Sequence, residues 1–235
     1  MFLEKVNQLK ENHGRLMEKL KKLFRAVKCG DVPLLYMITF LITKFYTLLW
    51  GILVLRKNKV YLHHSSTIKC KSRLNITGKL VIDSDCYIDA LSKEGVTFGD
   101  TVALGMKTVI ICTSSIESIG KGLKVGNHSS LGTHGFYGCA GGISIGDNVL
   151  IGNYVSMHSE NHNFEDPNLT IREQGVSHKG ITIGNDCWIG SKVTILDGAQ
   201  VGDGCIIAAG AVVRGNIPPY SVVGGIPARL LKKRE

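Results

Sequence analysis

Aliphatic residues recur at every sixth position across residues 183–218, where six blocks run without a break: IGNDCW, IGSKVT, ILDGAQ, VGDGCI, IAAGAV and VRGNIP. Each block opens with Ile or Val, and the following residue is usually small. A period of six fits neither the 3.6 repeat of a helix nor the alternation of a solitary strand. It predicts a coil of short parallel strands with a triangular cross-section. The aliphatic side chain points inward, and the small second residue lets the chain pass the corner without a side-chain clash.

The same pattern extends upstream with breaks in phase. Ile145 and Ile151 open IGDNVL and IGNYVS, with Met157 next in register, and Val125, Leu131 and Tyr137 open VGNHSS, LGTHGF and YGCAGG. Phe98 and Leu104 open FGDTVA and LGMKTV, with Ile110 and Ile116 in step. Over residues 60–89 the repeat is degraded but rich in β-branched residues. Met157 and Ile183 are 26 positions apart, which is not a multiple of six. A loop over residues 158–180 must therefore leave the coil, and a scaffold that needs no such loop for its core keeps it for function.

The N-terminal quarter has a different pattern. Phe2, Val6, Leu9, Leu16, Leu20, Leu23 and Val27 recur at helical spacings, in a segment whose first 28 residues hold eight Lys/Arg against three Glu. This predicts a basic amphipathic helix. The apolar stretch of residues 32–55 follows, long enough to cross a bilayer. Lys44 near its middle, the stripe Thr39, Thr43 and Thr47, and basic residues on both flanks argue against a simple span. An in-plane or re-entrant membrane helix, a true span and a helix packed on protein all remain open. The preceding basic helix argues against a signal peptide. The expected organisation is residues 1–57 as the helical, membrane-associated segment, 58–226 as the coil with its loop, and 227–235 as a basic tail.

Composition narrows the setting. The 235 residues include 28 Gly and only five Pro, which suits many tight corners. Seven scattered cysteines without a C-x-x-C pair favour a reducing compartment over a disulfide framework. The net charge of +9 meets no nucleic-acid reader motif, so an anionic membrane surface or an anionic cofactor is the expected partner, not nucleic acid. The expected location is cytoplasmic, at the inner face of the plasma membrane.

The stretches IGDNVLI (145–151), HSENHNF (158–164), IGNDCWIG (183–190), AAGAVV (208–213) and VGGIPAR (223–229) carry a resemblance to a known family. The chain resembles the hexapeptide-repeat acyltransferases, and within them the galactoside, maltose and exopolysaccharide O-acetyltransferases. The resemblance is good over residues 95–233, loose over 60–95 and nearly absent before that. It implies a mainly β fold, the left-handed parallel β-helix, with the helical N-terminal segment and a short C-terminal helix or tail as appendages. It also implies a homotrimer with active sites between neighbouring subunits, acetyl-CoA as donor, no metal, and a sugar or glycan acceptor.

Acetyl transfer from a thioester to a hydroxyl requires a base to take the hydroxyl proton, and the intrinsic pKa of His suits that task. By the resemblance that base is His162. His158 either orients His162, contacts the sugar or ends the strand. Glu160 and Asn161 suit acceptor binding, and Glu160 is alternatively the group that orients the base through its second ring nitrogen. His134 occupies a place where the family often has an Asn that binds acceptor, and Trp188 matches an aromatic near the reaction centre. For the donor, the resemblance assigns Gly190, Ser191, Ala208 and Ala209 to the pantetheine groove. It assigns Arg214, Arg229 and Lys232 to the phosphates, reinforced by Lys233 and Arg234. Arg172, Glu173 and Gln174 either close over the acceptor or simply form a charged surface loop. His128 and His178 read as surface residues.

Three rival readings stand beside this one. An amino-sugar N-acetyltransferase would use the same base. A zinc lyase of the γ-carbonic-anhydrase type would draw three ligands from His128, His134, His158 and His162 across subunits. A non-catalytic scaffold would only organise a polysaccharide assembly complex.

Overall fold

The computed structural model describes Lys21 and residues 32–234; apart from Lys21, the basic helix expected over residues 2–27 lies outside them. Two compact units divide between Tyr46 and Thr47, inside a single helix, α1, of 22 residues (Leu34–Leu55). Pro33 precedes its first turn, its carbonyl accepting from Met37, and Arg56 closes it in the left-handed conformation. Both are favoured terminal geometries. Within the first unit Thr39 Oγ1 donates to the Tyr36 carbonyl at 2.9 Å, and Lys44 Nζ sits 5.6 Å from the Phe40 ring. The helix is long and apolar enough to cross a membrane by length and composition. In the second unit, Trp50, Val54 and Leu55 pack on the first turn of the coil, where Gly51 lies directly against the Val60 carbonyl.

The coil is a three-faced prism of parallel strands. The first face stacks Val60–Leu62, Leu80–Ile82, Val102–Leu104, Ser130–Leu131, Leu150–Ile151, Trp188–Ile189, Ile206–Ile207 and Ser221–Gly224. The second runs from Thr67–Lys69 to Val212–Val213, and the third from Leu74–Ile76 to Asn216–Ile217, with seven strands each. On the second face Ile68, Ile88, Ile110, Tyr137, Met157, Ile195 and Val213 stand in register, one above another. These inward columns are fully buried over most of their length. Each large aliphatic side chain so buried contributes about 1.5–3 kcal/mol, so the period of six repeats a local burial gain once per face. The hexad cysteines Cys86, Cys112, Cys139, Cys187 and Cys205 are buried free thiols acting as small core residues.

The small second residue has a different reason from the one its position suggests. A Cβ on Gly190 would lie 2.6 Å from the Ala209 nitrogen, and one on Gly152 would lie 2.7 Å from the Ser191 nitrogen. Glycine is required because successive turns of the coil touch backbone to backbone there. The left-handed residue comes two positions later and is usually not glycine: Thr101, Lys107, His128, His134, Tyr154 and Lys192 all have positive φ.

A side-chain column ties the corner between the third and first faces. Oδ1 of Asp100 accepts from the Lys79 amide, Asn127 from Asp100, Asp147 from Asn127, Asn185 from Asp147 and Asp203 from Asn185, at 2.6–2.8 Å. Each bond pairs a corner amide that no strand ladder reaches.

Two expectations are corrected. Ile116 is 84% exposed and lies on a loop instead of continuing the inward column. The C-terminal tail is a strand, Arg229–Lys233, antiparallel to Ser221–Gly224 at the edge of the first face, and not a helix. Ile116 belongs to one of five interruptions, over residues 70–73, 90–95, 112–122, 139–142 and 159–180. All five fall at the corner between the second and third faces, while the other two corners keep connections of nearly constant length. Insertions on one edge of a repeat scaffold mark its working side.

Candidate active site

The longest interruption is held at both ends before it leaves the prism. At its start the buried Ser159 hydroxyl donates to the Gly138 carbonyl and accepts from the Gly141 amide. At its end the Asp197 carboxylate accepts from the Lys179 and Gly180 amides at 2.8–3.0 Å. Between them the chain forms a two-stranded antiparallel ribbon, Asn161–His162 against Val176–Ser177. The tip is fastened by Gln174, whose amide donates to the Asp166 and Leu169 carbonyls, and by Thr170. The Thr170 amide and hydroxyl donate to Glu173 Oε2, which holds the Glu173 carboxyl below its ordinary pKa. Glu173 and Gln174 therefore build the loop, whereas Arg172 is exposed.

His162 stands on this ribbon, exposed, opposite Val176. Its imidazole makes no hydrogen bond among the described residues. Glu160 does not orient it. The next cross-strand pair on the same side of the ribbon is Glu160 with His178, where Nε2 donates to the carboxylate Oε2 at 2.8 Å. His178 is a residue the sequence marked only as surface. It lies 18 positions from Glu160 across a loop with no repeat of its own, and only the hairpin brings them together. Strand alternation puts Asn161 and Ser177 on the other side, and the two line a depression together with Glu160, Lys179, Leu196, Asp197 and Arg214.

His158 ends its strand on the second face, exposed, with its ring 5.3 Å from Phe136. His134 sits at the corner between the first and second faces, stacked at 4.7 Å on Tyr154 of the next turn, with a buried Nδ1 that has no partner. His128 lies at the preceding corner. Among the described residues, no group of three or more His, Cys, Asp or Glu converges to hold a metal ion.

The proposed donor residues fall in two places. Ser191 and Ala209 are exposed and stacked at the corner between the first and second faces, with Ala208 half-buried beside them. Gly190 is buried beneath Ala209, and coil stacking accounts for it. Trp188 is 57% exposed on the first face, in a column running Leu150, Trp188, Ile206, Val222 and Lys232. At about 4.8 Å per strand, Trp188 and Lys232 lie about 14 Å apart along that column. Lys232, Arg229 and Arg214 are exposed cations without a carboxylate partner among the described residues, as phosphate recognition requires. The two cations expected to reinforce them do not: Lys233 Nζ donates to Pro219 and Ser221 at 3.0 Å, and Arg234 is bound to Gly204 and Asp186. They fasten the edge strand to the prism.

Comparison with known proteins agrees with this architecture. A family model described as "Bacterial transferase hexapeptide (six repeats)" matches residues 180–215. The chain is 42% identical over 93 residues to a Mycobacterium tuberculosis protein named as a probable acetyltransferase, covering 40% of this chain and 31% of that one. It is 39% identical over 92 residues to the galactoside O-acetyltransferase of Escherichia coli, covering 39% of this chain and 44% of that enzyme. The aligned region thus spans less than half the length of these relatives. The crystal structure of AntD, an N-acyltransferase from Bacillus cereus in complex with dTDP and 3-hydroxybutyryl-CoA, has a TM-score of 0.52 over 75% of this chain and 81% of that one. At 17% identity it shows the shared fold. The prism of hexad columns and the corner glycines agree with these matches: the chain carries the bacterial transferase hexapeptide repeat over residues 180–215 and is similar to proteins named as acetyltransferases.

Proposed function

We propose that this protein is an acetyl-CoA-dependent acetyltransferase that acetylates a sugar hydroxyl, with His162 as general base. The observation that carries this reading is an unpartnered imidazole on the one long excursion from the prism. In the reaction, an imidazole nitrogen of His162 takes the hydroxyl proton as the oxygen attacks the thioester carbonyl. The C–S bond then breaks, and the sulfur leaves with the proton returned by the imidazolium. The activated thioester needs no covalent intermediate on the enzyme. Arg214, Arg229 and Lys232 would hold the phosphates of the donor, and Ser191, Ala208 and Ala209 would line its arm. The similarity to a galactoside O-acetyltransferase supports a sugar acceptor.

A homotrimer is part of this reading. The first face presents Leu150 and Trp188, both more than half exposed, in register on neighbouring strands. An apolar face of this kind suits a second copy of the prism, which would join the donor residues of one chain to the ribbon of another. Helix α1 and the exposed cations Arg56, Lys57 and Lys59 that follow it support attachment to the cytoplasmic side of a membrane. The acceptor is then a glycan, or a glycan precursor, of the cell envelope.

The test is release of free thiol from acetyl-CoA by the purified full-length chain in the presence of a galactoside, with the product gaining the mass of one acetyl group. A trimer by light scattering and recovery in the membrane fraction are the accompanying expectations. A protein that trimerises but never releases thiol with any envelope sugar would be a scaffold and not an enzyme.

A further inference from the structure

The third face differs chemically from the first. Its outward column reads Asn75, Thr97, Lys124, Ser144, Thr182, Gln200 and Asn216, in register strand to strand. Where the last four of these interruptions overhang this face there is a depression, separate from the one beside Asn161, with Lys179 the one residue that lines both. Its floor is Thr97, Lys124, Ser144 and Thr182, and its wall carries Lys121 and Lys179.

The wall is built to present those two ammonium groups. The stem of Lys121 lies over Gly142, where a Cβ would come within 2.7 Å of its Cδ; the stem of Lys179 lies over Gly198 in the same way, at 3.2 Å. The hydroxyls of Thr97, Ser144 and Thr182 and the ammonium groups of Lys124 and Lys179 have no hydrogen-bond or ion-pair partner among the described residues. Lys121 faces Glu94 at 4.0 Å, but both side chains are more than half exposed, so that pair neutralises little. Three cations and a row of three hydroxyls thus converge on one concavity with a single carboxylate at its edge.

We infer that this groove binds phosphate, and that its ligand is a sugar carrying a phosphate or diphosphate. Ammonium groups are point-charge partners for phosphoryl oxygens. Free hydroxyls, which both donate and accept, match the hydroxyl groups of a sugar. The polar floor offers nothing to an acyl chain. The inference deepens the acetyltransferase reading by naming the acceptor as a phosphorylated sugar, and it rests on that reading only for the ligand being the acceptor. The affinity for phosphate stands apart from it.

The experiment is titration calorimetry of the full-length chain with inorganic pyrophosphate, in the presence of saturating coenzyme A so that the donor site is filled. Binding is expected in the wild type and in His162→Ala, with about tenfold weakening in Lys124→Met, the loss of one charge-assisted contact. Lys107→Met, at a corner away from the groove, is the control for general charge and should bind as the wild type does. Absence of binding, equal binding by Lys124→Met, or equal weakening by Lys107→Met would each overturn the groove. Pyrophosphate binding that depends on Lys124 in a protein that transfers no acetyl group would leave the groove standing and remove the acetyltransferase reading. Acetyl transfer without any such binding would do the reverse.

Discussion

Glu160 is hydrogen-bonded to His178 across the ribbon, Oε2 to Nε2 at 2.8 Å, and not to the neighbouring His162. A carboxylate only accepts, so the His178 proton sits on Nε2. The pair closes the base of the ribbon on the same side as the proposed base, and leaves His162 free to meet substrate.

His162→Ala should therefore lower acetyl transfer by about 10²–10⁴-fold, the range for loss of a positioned general base. Its ring is exposed and touches no hydrogen-bond partner, so the unfolding temperature should stay within a degree or two of the wild type. Thiol release and circular dichroism on the same preparation check both halves.

His178→Ala should act through position instead of chemistry. Both side chains of the pair are about 30% exposed, so its loss costs only about 1 kcal/mol. The expected result is a several-fold fall in kcat with the pH profile unchanged, because the proton-accepting group is still His162. A shifted profile would instead place His178 in the proton path.

Gly190→Ala should destabilise the prism by about 1–3 kcal/mol, since its Cβ would lie 2.6 Å from the Ala209 nitrogen and 2.9 Å from its Cα. Gly210→Ala has open space around it but a positive φ of 73°, so its cost is backbone strain alone, about 1 kcal/mol. Urea unfolding should rank them in that order.

Stability should fall in alkali. Burial raises the Cys187 thiol from its ordinary 9.0 to about 11, and burial raises Cys86 in the same direction. The native state holds these protons after the unfolded chain has lost them. Stability is thus intact below pH 9 and declines between about 9 and 11. Thermal melts across that window should show the decline, and Cys187→Ala should flatten it.

Much of this protein was legible from one period. The inward columns at Phe98, Leu104, Ile110, Val125, Leu131, Tyr137, Ile145, Ile151 and Met157 stand where the hexads put them. The excursion after Met157 followed from a spacing that six does not divide. Ile116 misled because an aliphatic residue at the right interval carries the same signal whether the chain is in the coil or has left it. The stacking glycines were visible as small residues, but not the contact they serve.

The sequence alone determined the prism, because each turn buries its own aliphatic residues and that local gain repeats along the chain. Only the tertiary structure decided which distant residues meet: Glu160 with His178, Arg234 with Asp186 across 48 positions, and Lys121 and Lys124 of one turn with Lys179 of another around one groove. Those meetings depend on how turns of unequal length stack at a single corner, and unequal insertions leave no periodic trace in a one-dimensional chain.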